Sequence, residues 1–151
     1  MEQQEKQNEY LRGVPPHDAT AEQAVLGSMF LDREAASLAL EMLTGESFYR
    51  PDHRMVFEAA EELYRTGAPI DIITVKNKLE EKGQFEQIGG LSFLATISAA
   101  VGSSVNVRHY AAIVEEKSVL RRLIRTAGDI SQKSYDGKEN VNSIMDMAEK
   151  S

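Results

Sequence analysis

The sequence predicts an all-α protein: a compact bundle of about five short helices, followed by a long helix and a C-terminal helix that form a helical hairpin. Three observations carry this. Apolar residues recur at helical spacing in nearly every segment between turn signals. Asp18, Asp32 and Asp71 each stand just before such a run, where a side-chain oxygen can accept the unsatisfied N–H groups of a first turn. The stretch Asn106–Tyr135 contains no proline and a single glycine over roughly 30 residues, longer than an average globular helix.

Taken in order, residues 1–14 are charged and Gln-rich and end at Gly13 and the Pro15-Pro16 pair, so they are expected to form a disordered tail. Asp18 can cap a helix over Ala19–Met29, with Thr20 and Gln23 offering a competing capping-box start two residues later. Ala24, Val25, Gly27, Ser28 and Met29 make this helix small-sided and apolar, which suits the centre of a core. Asp32 caps a second helix to about Leu43, with Ala35, Leu38, Ala39 and Met42 inward, and Thr44-Gly45 breaks it. Pro51 opens a third to Arg65, placing Met55, Val56, Ala59, Leu63 and Tyr64 inward, with Phe48 and Tyr49 as a staple upstream.

Thr66-Gly67-Ala68-Pro69 is a stop. The β-branched run Ile70–Val75 has strand propensity, but the proline before it, the Asp71 cap and the helical spacing of Ile72, Val75 and Leu79 favour a helix to Lys82, ended by Gly83. Gly89-Gly90 precedes a short apolar helix, Leu91–Val101, and Gly102-Ser103-Ser104 leads into the long one. Asp136-Gly137 ends that helix, and Asn140–Lys150 forms the last, with Val141, Ile144, Met145 and Ala148 on one side. The domain organisation is then a tail (1–14), a globular subdomain (15–105) and a hairpin (106–151). The chain stops at Ser151 as if a larger protein had been cut at a linker.

The long helix does not carry one apolar stripe. At roughly 100° per residue, Val107, Tyr110, Ile113 and Val114 cover one arc, while Val119, Leu120, Leu123, Ile124, Ala127 and Ile130 cover an arc rotated by roughly a third of a turn. A single partner would keep a single arc, so the first half is expected to dock on its own globule and the second to meet another molecule.

The 151 residues allow one domain with a real core, or a small domain plus an appended element, and 42% hydrophobic with 27% charged residues is ordinary for a globular protein. There is no cysteine, hence no disulfide and no thiolate metal ligand, and no apolar run approaches the roughly 20 residues that span a bilayer. With no secretory signal either, the expected location is the cytoplasm, without a membrane partner. The net charge is −7, against broad nucleic-acid binding. Residues 106–135 carry +3 (Arg108, Lys117, Arg121, Arg122, Arg125 and Lys133 against Glu115, Glu116 and Asp129), so the remainder carries −10.

No catalytic, cofactor-binding or metal site is expected. A phosphate-cradling loop needs glycines and a Lys-Ser/Thr at fixed spacing, and the one Gly-Lys, Gly137-Lys138, lacks both. His17, His53 and His109 fall on separate elements, and His53 beside Asp52 at a helix start reads as a packing or capping residue. Glu58, Glu61 and Glu62 read as a solvated face with Arg65 pairing with Glu61 or Glu62, rather than as acid/base carboxylates. Arg121, Arg122 and Arg125 could contact phosphates or an anionic protein, although Asp129 can pair with Arg125.

Several stretches together resemble bacterial replicative DNA helicases of the DnaB type: Pro15-Pro16 followed by Ala21-Glu22-Gln23-Ala24-Val25-Leu26-Gly27; Phe48-Tyr49 with His53 and Phe57; Gly67-x-Pro69-Ile70-Asp71-x-x-Thr74-Val75; Gly89-Gly90 with Phe93-Leu94; and Asn106-Val107-x-x-Tyr110-Ala111-x-Ile113-Val114-Glu115-Glu116-Lys117-Ser118. The resemblance runs from about Pro15 to about Ile130. It departs at Thr20, where relatives commonly have an acid, and at Val101-Gly102-Ser103-Ser104, which replaces a Pro-Thr/Ser lead into the long helix.

The resemblance implies an N-terminal collar domain that dimerises and builds a threefold ring above a hexameric motor, and that receives the C-terminal domain of a DnaG-type primase, with a helicase loader as a further candidate partner. ATP and Mg would belong to a RecA-like domain that follows, as would the main DNA contacts. On this reading the hairpin pairs with a copy of itself through Val119, Leu120, Leu123, Ile124, Ala127 and Ile130 with Ile144 and Met145. The alternatives are a nucleic-acid contact module acting through Arg121, Arg122 and Arg125, a stand-alone helical adaptor, and a free-standing enzyme, which the missing motifs disfavour.

Overall fold

A computed structural model of the protein describes residues 13–150. Among them are seven α-helices and one 3-10 turn, and no strand: α1 (Ala19–Leu31), α2 (Arg33–Met42), the 3-10 turn (Gly45–Ser47), α3 (Pro51–Arg65), α4 (Ile72–Glu81), α5 (Gly90–Ser98), α6 (Val107–Asp136) and α7 (Val141–Glu149). The chain divides into two compact units, residues 17–118 and residues 13–16 with 119–150, so the boundary falls inside α6 between Ser118 and Val119. The expectation of a disordered tail lies outside the described residues over 1–12.

In the first unit the caps act as their chemistry requires. Asp18 accepts from the Ala21 N–H at 2.9 Å and so wins over the Thr20 start. Asp32 accepts from Glu34, and Asp71 and Thr74 exchange backbone and side-chain bonds in a capping box that fixes the start of α4 as helix rather than strand. Arg33 donates to the carbonyls of Ala68 and Tyr64 and stacks 4.6 Å over the Tyr64 ring, placing a cation at the C-terminus of α3 where the helix dipole favours one.

α1 is buried over most of its length and packs on α2, α3 and α5. Its smallness is used at Gly27: a Cβ there would lie 2.8 Å from the Ile97 carbonyl oxygen and 3.3 Å from the Ala100 and Val101 side chains. That close approach accounts for a correction to the expected Leu91–Val101 helix. α5 spans Gly90–Ser98, and Ala100 and Val101 leave helical geometry as they pass over Gly27. Phe48 and Phe57, both fully buried with ring centroids 4.8 Å apart, anchor the turn before α3. Val107, Ala111 and Val114 complete this core from the first half of α6, so the segment 106–118, grouped with the hairpin on sequence, supplies core side chains to the globule.

The core also holds a polar pair. Glu22, 1% exposed, accepts the backbone N–H groups of Tyr49 (2.8 Å) and Arg50 (3.4 Å), and lies 2.8 Å from His53 Nδ1. With two N–H groups already aimed at it the carboxylate is the acceptor, so His53 donates through Nδ1 while Phe93 stacks beside its ring at 5.8 Å. His53 is thus a packing residue, fully buried and closed to any substrate, and Glu22 joins α1 to the start of α3. Next to it, partial burial pushes the Asp52 carboxyl up, but the hydrogen bond and charge of Arg50 together with His53 and its backbone N–H outweigh this and hold it below the usual carboxylate range. Arg65 pairs with Glu61 at 3.5 Å and Lys82 with Glu62 at 3.4 Å, the solvated arrangement read for that face.

Candidate interaction surface on the helical arm

In the second unit α6 continues to Asp136 and the chain then reverses. Gly137, at φ +61°, donates to the Lys133 carbonyl, a left-handed conformation that glycine alone adopts without strain. Asn140 caps α7 by accepting from Asn142 at 2.7 Å. Lys133 Nζ lies 3.4 Å from Glu139 and 3.6 Å from Met147 Sδ. Fourteen residues of continuous helix would separate positions 133 and 147 by roughly 21 Å, so the contact requires α7 to fold back along α6. The hairpin is therefore real, and its inner side is set by Lys133 and Met147. Ile130 lies one turn before Lys133 and Ile144 one turn before Met147, and both are half-buried.

The outer side is different. Leu120, Leu123, Ile124 and Ala127 follow the i, i+3, i+4, i+7 spacing of a single helix face. Leu120, Leu123 and Ile124 are 37%, 49% and 51% exposed, against 3% and 1% for Val107 and Val114 on the same helix. On α7, Val141 and Met145 form a second exposed pair one turn apart. Of the residues expected at an interface, the structure brings Leu120, Leu123, Ile124 and Ala127 onto one exposed stripe and Met145 onto another. It leaves Val119, Ile130 and Ile144 half-buried. Val141 was not among the expected interface residues, although its spacing from Met145 was the available signal.

The arginines do not act as one set. Arg121 donates to the Pro16 carbonyl at 2.8 Å and is half-buried, while Arg122 and Arg125 are exposed. The Arg125–Asp129 pair that the spacing allows is not formed among the described residues, because both side chains extend into solvent. A depression of about 310 Å³ at the hairpin tip is lined by Asp129, Gln132, Lys133, Asp136, Lys138 and Glu139, with both charge signs interleaved. Among the described residues no group of three or more His, Asp or Glu side chains could hold a metal ion, and no helix is long and apolar enough to cross a membrane.

An exposed apolar stripe on an ordered helix is a surface of the kind that mediates protein association. The chain belongs to the DnaB-like helicase N-terminal domain family, whose pattern matches residues 14–116. It is 45% identical over 137 residues to the replicative DNA helicase DnaB of Geobacillus stearothermophilus, covering 91% of this chain and 30% of that protein. It is 43% identical over 137 residues to the replicative DNA helicase DnaC of Bacillus subtilis, again covering 91% and 30%. The chain thus spans about 30% of the length of these curated relatives.

Among solved structures, the N-terminal domain of DnaB helicase from Mycobacterium tuberculosis superposes with a TM-score of 0.85 at 39% identity, covering 89% of this chain and 95% of that one. The N-terminal domain of DnaB helicase from Helicobacter pylori, described together with its interactions with primase, gives a TM-score of 0.67 at 25% identity, covering 77% and 90%.

Proposed function

We propose that this chain is the assembly and docking domain of a longer replicative DNA helicase. Its hairpin pairs with a copy of itself, such pairs build a threefold ring of six subunits, and the domain receives the C-terminal domain of a DnaG-type primase. A helicase loader is a further candidate for the same domain. ATP, Mg and strand separation belong to a RecA-like motor domain outside these residues, and the parent works in the cytoplasm. The supporting observation is the contrast within α6, where the half that docks on the globule is covered and the half on the arm presents Leu120, Leu123 and Ile124 uncovered. The interface contributed by one hairpin is small, so pairing of the isolated domain is expected to be weak and concentration-dependent.

Sedimentation of the wild type beside a Leu123→Glu, Ala127→Glu double variant is the test. The wild type is expected to gain mass with concentration and the variant to remain a monomer. A strictly monomeric mass for both at high concentration sinks the pairing. Nucleic-acid contact through Arg121, Arg122 and Arg125 is the weaker reading, because Arg121 donates to the Pro16 carbonyl.

A further inference from the structure

The methionines of the described residues stand in different surroundings. Met29 is 1% exposed, and Met42 and Met55 are half-buried against the core of the globule. On the arm, Met147 is half-buried and its sulfur accepts from Lys133 Nζ at 3.6 Å. Met145 on the same helix is 56% exposed, with Val141 and Ala148, both exposed, about one turn to either side. The three form an apolar row on α7 with a thioether at its centre. A thioether is oxidised where peroxide can reach the sulfur. A sulfur lone pair attacks one peroxide oxygen and forms the S–O bond, the O–O bond breaks, and the departing hydroxide takes up the hydroxyl proton and leaves as water. The sulfur is oxidised and the peroxide reduced. An ammonium ion beside the sulfur opposes the positive charge that builds on it, so Met147 is protected both by burial and by Lys133. Met145 has no such donor among the described residues, and solvent reaches it.

We propose that Met145 is an oxidation site through which hydrogen peroxide controls the association of this domain with its own copies. The proposal rests on the hairpin-pairing reading above and adds a chemical input to it. The sulfur is open in the single copy, which is the species the oxidant meets before pairing. Its sulfoxide sets a polar, chiral group at the centre of the apolar row, between Val141 and Ala148. That group must give up its hydration, without a partner supplied by the row, before a second copy can cover it. Pairing and oxidation therefore oppose each other. Methionine sulfoxide is reducible by dedicated enzymes, so the change can be reversed.

The test treats the wild type with dilute hydrogen peroxide, maps each methionine by peptide mass spectrometry, and compares sedimentation before and after. Met145 should gain an oxygen first, Met147 later and Met29 last, with circular dichroism unchanged. Self-association should weaken about fivefold or more, as for an interface side chain that costs over 1 kcal/mol when lost. Methionine sulfoxide reductases should restore it. Met145→Gln, whose amide is polar like the sulfoxide, should show the weakening without peroxide. Met145→Leu, compared with its own untreated sample, should keep its association after peroxide. Oxidation of Met147 as early as Met145 overturns the site. Oxidation of Met145 with unchanged self-association overturns the control, as does an equal loss in peroxide-treated Met145→Leu, which would place the effect at another methionine. A wild type that never gains mass ends the pairing reading and the control with it, while the order of oxidation is still read in the monomer.

Discussion

The two halves of α6 belong to one unbroken helix and are opposite in fate. Residues 107–118 bury Val107, Ala111 and Val114 to within 3% of full coverage, while residues 119–136 leave Leu123 and Ile124 about half exposed. Helix propensity cannot distinguish them, since one unbroken helix contains both. The difference lies in what each face meets. An apolar face that closes a core is a matter of stability, and one left uncovered on an ordered arm is a matter of association. The comparison predicts that a charge placed on the first half destroys the fold and that the same charge on the second half leaves it intact.

The largest expected effect follows directly. Val114→Asp puts an unpaired carboxylate into the core and should cost about 4 kcal/mol or more, a large part of the stability of a domain this size. Leu123→Glu should change stability by no more than about 0.5 kcal/mol, because the new charge faces water. Urea unfolding followed by circular dichroism reads both. A Leu123→Glu loss comparable to that of Val114→Asp would mean that the arm stripe is covered within the monomer and would remove the comparison.

A smaller effect sharpens it for polar groups. Glu22→Ala leaves the Tyr49 and Arg50 N–H groups and His53 Nδ1 without their acceptor inside the globule, and should cost roughly 3 kcal/mol. Glu22→Gln keeps a carbonyl oxygen of the same reach and should cost roughly half as much. Arg122→Ala, an exposed change on the arm, should fall within about 0.5 kcal/mol of wild type. Urea midpoints that place Glu22→Ala beside Arg122→Ala would show that the buried carboxylate contributes nothing net.

These residues also show what was legible in the sequence. The helix starts were, because a cap is a local event: Asp18, Asp32 and Asp71 bond N–H groups two or three residues on. The two-arc pattern of α6 was legible because helical spacing alone decides which side chains share a face. Glu22 appeared only as a member of the Ala-Glu-Gln stretch, and nothing near it announced burial. Its compensation comes from residues 27 to 31 positions away, and a long-range match of that kind has no local signature. The end of α5 failed to show for the same reason, since Ser98 is set by what Ala100 and Val101 meet at Gly27. On the arm, the outer stripe could be read from spacing, but the partial burial of Ile130 and Ile144 could not.

The smallest effect tests the arm as a helix in its own right. Gly128 sits in the middle of it, and a Cβ built there meets nothing within 4 Å. Gly128→Ala therefore removes backbone freedom from the unfolded chain without crowding the folded one, and should stabilise the arm by about 0.5–1 kcal/mol. In the covered half the reciprocal change, Ala111→Gly, loses a fully buried methyl group as well as the propensity difference, and should cost about 1.5–2 kcal/mol. Amide hydrogen exchange separates the two sites. Protection across residues 119–136 should rise about two- to fivefold in Gly128→Ala, while Ala111→Gly should lower protection throughout the globule. A fall in arm protection for Gly128→Ala would mean that something already lies against Gly128 and needs the space a glycine leaves. The covered and uncovered halves of α6 would then differ less than their exposures imply.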